Sequence, residues 1–394
     1  MENSRGGFSG KRLGNVDDYL QRIVDRGEVA GVGALIFRHG EEAYCKSFGF
    51  RDREQKLPMT NDTIHRIYSM SKTFTVVTAM TLYEKGLFKL HDPIEEFIPA
   101  FKEPKVAVHD ERGQLQIVNA RGPITFEHLF TMTSGIPYPG PGSYSSRAAA
   151  EEHARLKGEL TTAKGAEIMA GIPLCFHPGE YWMYGFSHDI LGALIEVLSG
   201  KNLGTYMKEV VLGPLALDDT AFFVPQEKRS RLAKAYEWTE GGLKEKTDLG
   251  PVALSPPAFE SGGGGLCSTL RDVGRYGLML LGNGKLGEER VLSRKTIELI
   301  RRNHIVPAQQ LKQFGFPSQA GYGYGLGVRT MTDTIAAGLN GSPGEWAWDG
   351  MLGTWYCVDP VEDLVAVFLI QRSPGNNENL PKRFAQTVYG AIDD

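Results

Sequence analysis

The chain has 394 residues, 41% hydrophobic and 23% charged, and its 43 basic and 47 acidic side chains leave a formal net charge of −4. That length can bury a large core without staples, and the near-balanced charge excludes a strongly basic nucleic-acid binder. No stretch approaches the ~18 consecutive apolar residues of a membrane span. Residues 1–14 are polar and glycine-rich with no apolar leader core, so a cytoplasmic location is expected. Cys45, Cys175, Cys267 and Cys357 are isolated and far apart, which reads as small buried hydrophobes in a reducing compartment.

In chain order, a helix is expected over residues 15–26, with Leu20, Ile23 and Val24 on one face and Gly27 ending it. Two strand-like runs, 32–38 and 43–50, follow around the turn His39, Gly40, Glu41 and read as a hairpin. From residue 70 to about 220 the periodicity is mostly helical, at 70–87, 125–132, 163–170, 188–198 and 203–211. Loops such as 137–146 (PYPGPGSYSS) separate these helices. Residues 321–325 (GYGYG) read as a glycine-aromatic turn entering a strand. Strand patterning returns at 355–359 and 364–371, before a last helix from about 380 to 392. The expectation is an α/β (α+β) fold: an antiparallel sheet assembled from both ends, flanked by helices, plus a mainly helical region. A cleft between two such parts is a usual ligand site, with 137–146 and 314–324 as candidate walls or lids.

Most catalytic signatures are absent: there is no G-x-S-x-G, H-E-x-x-H, Walker A or strand-linked G-x-G-x-x-G. The nine histidines form no spaced cluster, so no metal site is expected. One motif stands out, Ser69-Met70-Ser71-Lys72, an S-x-x-K. At helical spacing, i and i+3 share a face, so the Lys72 amine can reach the Ser69 hydroxyl and take the proton that keeps serine a weak nucleophile. The residues that follow are apolar or small almost all round, which predicts a buried helix and a lysine in need of a partner or a lowered pKa. Such a motif occurs about once by chance in a chain of this composition. It needs company.

The company is present. Residues 64–72 (IHRIYSMSK), 124–137 (ITFEHLFTMTSGIP), 176–196 (FHPGEYWMYGFSHDILGALIE), 213–220 (GPLALDDT) and 261–273 (SGGGGLCSTLRDV) resemble, in order, segments of the serine β-lactamase and penicillin-binding-protein superfamily. The resemblance is to its class C-like branch, and it runs from about residue 15 to 390. It implies that branch's fold and a single catalytic unit over 1–394, made of a sheet region (1–65 with 260–394) and a mainly helical region (66–259). It also implies roles. Ser69 is the nucleophile, Lys72 its partner, and Tyr184 a general base whose phenol is made more acidic by the nearby ammonium. Trp348-Asp349-Gly350 matches the third motif, where the N–H groups of Ser69 and Met351 form the oxyanion hole.

Two departures bear on substrate. The family's Y-x-N becomes Tyr184-Gly185-Phe186, and Trp348 stands where many relatives carry a Lys or His that binds a carboxylate. Both changes trade polar recognition for apolar surface, with Trp348, Gly350 and Phe186 as the expected substrate contacts. The same W-x-G is found in the family's esterase members, often grouped as family VIII carboxylesterases. The expected function is therefore a cofactor-free serine hydrolase acting through an acyl-enzyme on small-molecule esters with neutral, hydrophobic acyl groups. It is expected to be a monomer or small homo-oligomer, with no nucleic-acid or membrane partner. Alternatives are a β-lactamase or D-amino-acid peptidase/amidase, an acyltransferase, and a non-catalytic binding module on the same fold.

Overall fold

In the computed structural model, residues 5–156, 160–249, 252–306, 319–375 and 380–394 are described. The first helix, α1 (Gly10–Asp25), starts five residues before the expected position because the Ser9 hydroxyl accepts the Arg12 N–H and caps it there. Strands β1 (Gly31–Arg38) and β2 (Glu41–Asp52) form the expected hairpin. Its turn residues His39 and Gly40 both have positive φ, at 52° and 74°, which matches the twist of a tight antiparallel connection. A short strand, β3 (Leu57–Pro58), ends this side of the sheet.

The C-terminal part supplies the remaining five strands: β4 (Tyr322–Tyr324), β5 (Arg329–Met331), β6 (Trp346–Ala347), β7 (Trp355–Asp359) and β8 (Leu364–Leu369). The eight strands run β4-β5-β6-β7-β8-β1-β2-β3, with every neighbour antiparallel. The seam that joins the two ends of the chain is β1 against β8, with Leu35 opposite Val367 and Ile36 opposite Ala366. Both strands are apolar almost throughout because both sheet faces are covered. Trp355 and Phe368 face each other across the β7–β8 pair and pack on Phe384 of the terminal helix (Leu380–Tyr389). The helix Leu270–Leu281, which the sequence reading did not place, packs on β1, β7 and β8.

The middle of the chain is mainly helical, as expected, with α2 (Ser71–Glu84) at its centre. Every residue of α2 from Ser71 to Leu82 is buried, so the all-round apolar pattern reports its surroundings directly. Its buried threonine hydroxyls are satisfied: Thr73 and Thr78 bond carbonyls within the helix, and Thr75 donates to Gly262 O at 2.8 Å. Two details differ from expectation. A helix, Tyr144–Arg155, begins inside the segment read as a loop, capped by Ser143, and an antiparallel ribbon (Lys105–His109 with Leu115–Asn119) interrupts the helical region. The 321–325 stretch is itself the edge strand β4 rather than a turn leading to one. Residues 314–318 of the second candidate wall lie outside the described residues.

Candidate active site

Ser69 sits in a single 3-10 turn (Tyr68–Met70) directly ahead of α2, so its side chain points from the mouth of a buried helix. Tyr68 takes a left-handed φ of 43°, a strained conformation for a bulky residue and one that clusters at functional sites. One turn on, Lys72 is completely buried, and its Nζ donates to Ser69 Oγ at 3.1 Å, to the Tyr138 hydroxyl at 2.9 Å and to Gly263 O at 2.5 Å. The ammonium position also lies 4.7 Å from the centre of the Tyr184 ring. All three acceptors are neutral. Burial therefore dominates and lowers the lysine pKa from its ordinary value to about 7, against the opposing pull of Asp189 and Asp349.

Tyr184 immediately precedes the helix α6 (Ser187–Ser199), and its hydroxyl oxygen takes the indole N–H of Trp348 at 3.1 Å and a hydrogen bond from Ser69. The serine hydroxyl, the lysine amine and the tyrosine hydroxyl thus meet in one hydrogen-bonded cluster. The expected acidic phenol is not found. Burial raises the Tyr184 pKa above its ordinary value, more than the bonds from Ser69 and Trp348 lower it. The group poised near neutrality is the amine, because desolvation acts against charge and so pushes a phenol up and a lysine down.

The third element is the segment after β6. Gly350 lies so close to Ile67 O and Thr354 Oγ1 that a Cβ there would collide with both. Thr354 Oγ1 also donates to Ile67 O at 3.2 Å, pinning the 350–354 turn to the residues just ahead of Ser69. Met351, next in the chain, is 48% exposed. Trp348 is 1% exposed, stacked on Tyr184 and edge-on to Tyr324, with the Arg329 guanidinium over its ring at 5.8 Å. Arg329 is bound to Asp349 at 2.7 Å. Expected as a substrate contact, Trp348 makes its observed contacts with the catalytic tyrosine candidate and an apolar layer of Trp182, Tyr324, Met132 and Ile305. Phe186 is also buried, between Tyr138, His153 and Phe259.

Sequence reasoning missed Tyr138, Gly263, Asp189 and the Arg329–Asp349 pair. The first two lay in a segment it flagged as a candidate wall (137–146) and in one it matched to the superfamily (261–273), without a role for either residue. Among the described residues no group of three His, Cys, Asp or Glu could hold a metal ion.

Comparison with known proteins fits this geometry. Residues 16–390 match the beta-lactamase family. The chain belongs to that family. It is 33% identical to Protein Rv1367c of Mycobacterium tuberculosis over 361 residues, 90% of this chain and 89% of the relative. It is 26% identical to Esterase EstB of Burkholderia gladioli over 380 residues, again 90% and 89% of the two chains. Among solved structures it is similar to EstCE1, a hydrolase with promiscuous acyltransferase activity. The TM-score is 0.78 and the identity 26%, over 97% of this chain and 98% of the other. The protein is a serine hydrolase of the beta-lactamase family with the mixed antiparallel-sheet and helix fold expected of it. No helix among the described residues is long and apolar enough to cross a membrane.

Proposed function

We propose that the protein is a carboxylesterase in which Ser69 is the nucleophile, Lys72 the base and Tyr184 the proton carrier to the leaving group. The observation that carries this reading is the direct bond of a deeply buried, readily deprotonated amine to the Ser69 hydroxyl. The neutral Lys72 amine takes the Ser69 proton as Oγ bonds to the ester carbonyl carbon. The oxyanion is held by the N–H groups of Ser69 and Met351, each such donor being worth about 3 kcal/mol. As the carbon–alkoxy oxygen bond breaks, the proton passes from Lys72 by way of Tyr184 to the departing alcohol. Water then adds to the acyl-enzyme by the same route in reverse, giving the acid and free Ser69.

The substrate preference follows from charge. Lys72 is engaged by the nucleophile, and Arg329, the other cation close to Trp348, is neutralised by Asp349. The surrounding layer of Trp182, Tyr324, Trp348 and Ile305 is apolar and buried, an environment that favours a neutral acyl group over a charged one. Phe186 supports Tyr138 from behind, and Gly350 lets the oxyanion segment approach. The sheet region and helical region act as one unit with the site at their junction, working as a monomer or small homo-oligomer on a small-molecule ester. The four unpaired cysteines support a cytoplasmic setting.

Hydrolysis of p-nitrophenyl esters over a series of acyl chain lengths tests the reading. Ser69→Ala should reduce turnover by about 10⁴ or more while leaving the melting temperature unchanged. Retained turnover in that variant refutes the assignment. Because EstCE1 is described as having promiscuous acyltransferase activity, an acyl-enzyme that meets an alcohol before water is the second reading. Ester products formed with added alcohols distinguish it.

A further inference from the structure

We propose that Asp189 is a positioning residue that holds Lys72 in place and stabilises the ammonium it becomes, acting through the loop of residues 261–263. Asp189 lies on α6, five residues after Tyr184, and is 3% exposed. One oxygen, Oδ1, accepts the Ser261 hydroxyl at 2.5 Å and the Gly263 N–H at 3.2 Å. The carbonyl of the same Gly263 accepts Lys72 Nζ at 2.5 Å. One residue, Gly263, thus joins the carboxylate through its N–H to the lysine through its carbonyl. The loop is tightly packed against both helices. A Cβ at Gly263 would collide with the Asp189 carboxylate, and one at Gly262 with His188 O, while Gly262 O is fastened to Thr75 on α2. Glycine is therefore required at 262 and 263 by the close approach of α2 and α6 to one strip of backbone.

The charge has a second consequence. Lys72 is faced by Tyr138 from the loop ahead of the Tyr144–Arg155 helix, by Tyr184, His188 and Asp189 from α6 and its entry, and by Asp349 from the turn after β6. His188 is completely buried, and burial and the nearby lysine hold it well below its ordinary pKa, so it remains neutral. The phenols are kept neutral by burial. Arg329 is engaged by Asp349. Of the two carboxylates, Asp189 has the larger influence on Lys72 and opposes the burial that lowers it. Burial raises the Asp189 pKa in turn, against the pull of Lys72 and the bonds from Ser261 and Gly263 that favour its charge. When Lys72 accepts the Ser69 proton, the charge that appears is one that Asp189 already faces. Such preorganisation costs nothing at the moment of reaction.

The proposal shares Lys72 with the esterase reading, so its test includes a readout that needs no substrate. Titration of the Lys72 13Cε resonance, assigned by its loss in Lys72→Met, should give a midpoint near pH 7 in the intact protein. Asp189→Asn keeps both hydrogen bonds but removes the charge, and should lower that midpoint by about one pH unit. In ester hydrolysis the acid limb of kcat/KM should move down equally, and kcat should fall about tenfold with KM unchanged. Should Asp189→Asn fail to fold, Ser261→Ala weakens the carboxylate's hold on its charge and should move the midpoint the same way, by less. A Lys72 midpoint that stays in place in the folded variant overturns the proposal, whatever happens to turnover. A midpoint that moves in a protein without Ser69-dependent ester hydrolysis overturns the esterase reading alone.

Discussion

Lys72 and Arg329 are both buried basic side chains in the region of the site, one on α2 and one on β5, and they differ in what they touch. Arg329 has a carboxylate at 2.7 Å, and its pKa is raised further above an already high value. Lys72 has a hydroxyl, a phenol and a carbonyl, and among the described residues no carboxylate within ion-pair distance. In the same low-dielectric surroundings the paired cation is permanent and the other releases its proton near pH 7. Arg329–Asp349 therefore fixes geometry, and Lys72 does chemistry. Reactivity here comes from withholding a counter-ion, not from adding a special group.

Substitution should separate the two sites. Lys72→Met is expected to lower ester turnover by about 10³ or more, while thermal unfolding stays the same or rises, because a buried amine is replaced by an apolar chain of similar length. A large loss of stability in that variant would mean that Lys72 is structural. Asp349→Ala should do the reverse. Leaving Arg329 buried and unpaired costs about 3–5 kcal/mol, which calorimetry or denaturant titration would register. A variant as stable as wild type would mean that Arg329 needs no partner. Trp348→Phe removes the N–H that bonds Tyr184 together with part of the stacked ring, so kcat should fall about tenfold with little change in KM.

The smallest expected effect concerns Glu345, buried on the far side of Arg329, whose pKa is raised by burial to about 7. The folded state then binds more protons than the unfolded chain between the ordinary glutamate pKa and about 7, so stability falls as pH rises through that window. Glu345→Gln should raise the melting temperature by ~2–4 °C at pH 8 and leave it unchanged at pH 4. A gain of equal size at both pH values would contradict the raised pKa.

What could be read from the sequence was local. The hairpin of β1 and β2 and the buried helix α2 follow from periodicity and turn residues, and Ser69 with Lys72 from helical spacing. Tyr184 and the Trp348 motif came from resemblance. The remainder of the site depends on contacts made across long stretches of chain. Tyr138 is 66 positions from Lys72 and Gly263 is 191 away, and neither carries a spacing pattern that points to the lysine. Burial was the second obstacle. An acidic Tyr184 is expected from its neighbour's charge, but desolvation outweighs the bonds from Ser69 and Trp348 at the phenol and lowers the pKa of Lys72 as well.

The most direct test of the central claim is the pH dependence of covalent labelling by a fluorophosphonate, followed by peptide mapping. The account predicts a single adduct on Ser69 whose rate of formation rises through a midpoint near pH 7 and is lost in Lys72→Met. An adduct elsewhere, or labelling of Ser69 that proceeds at an undiminished rate without Lys72, would contradict it.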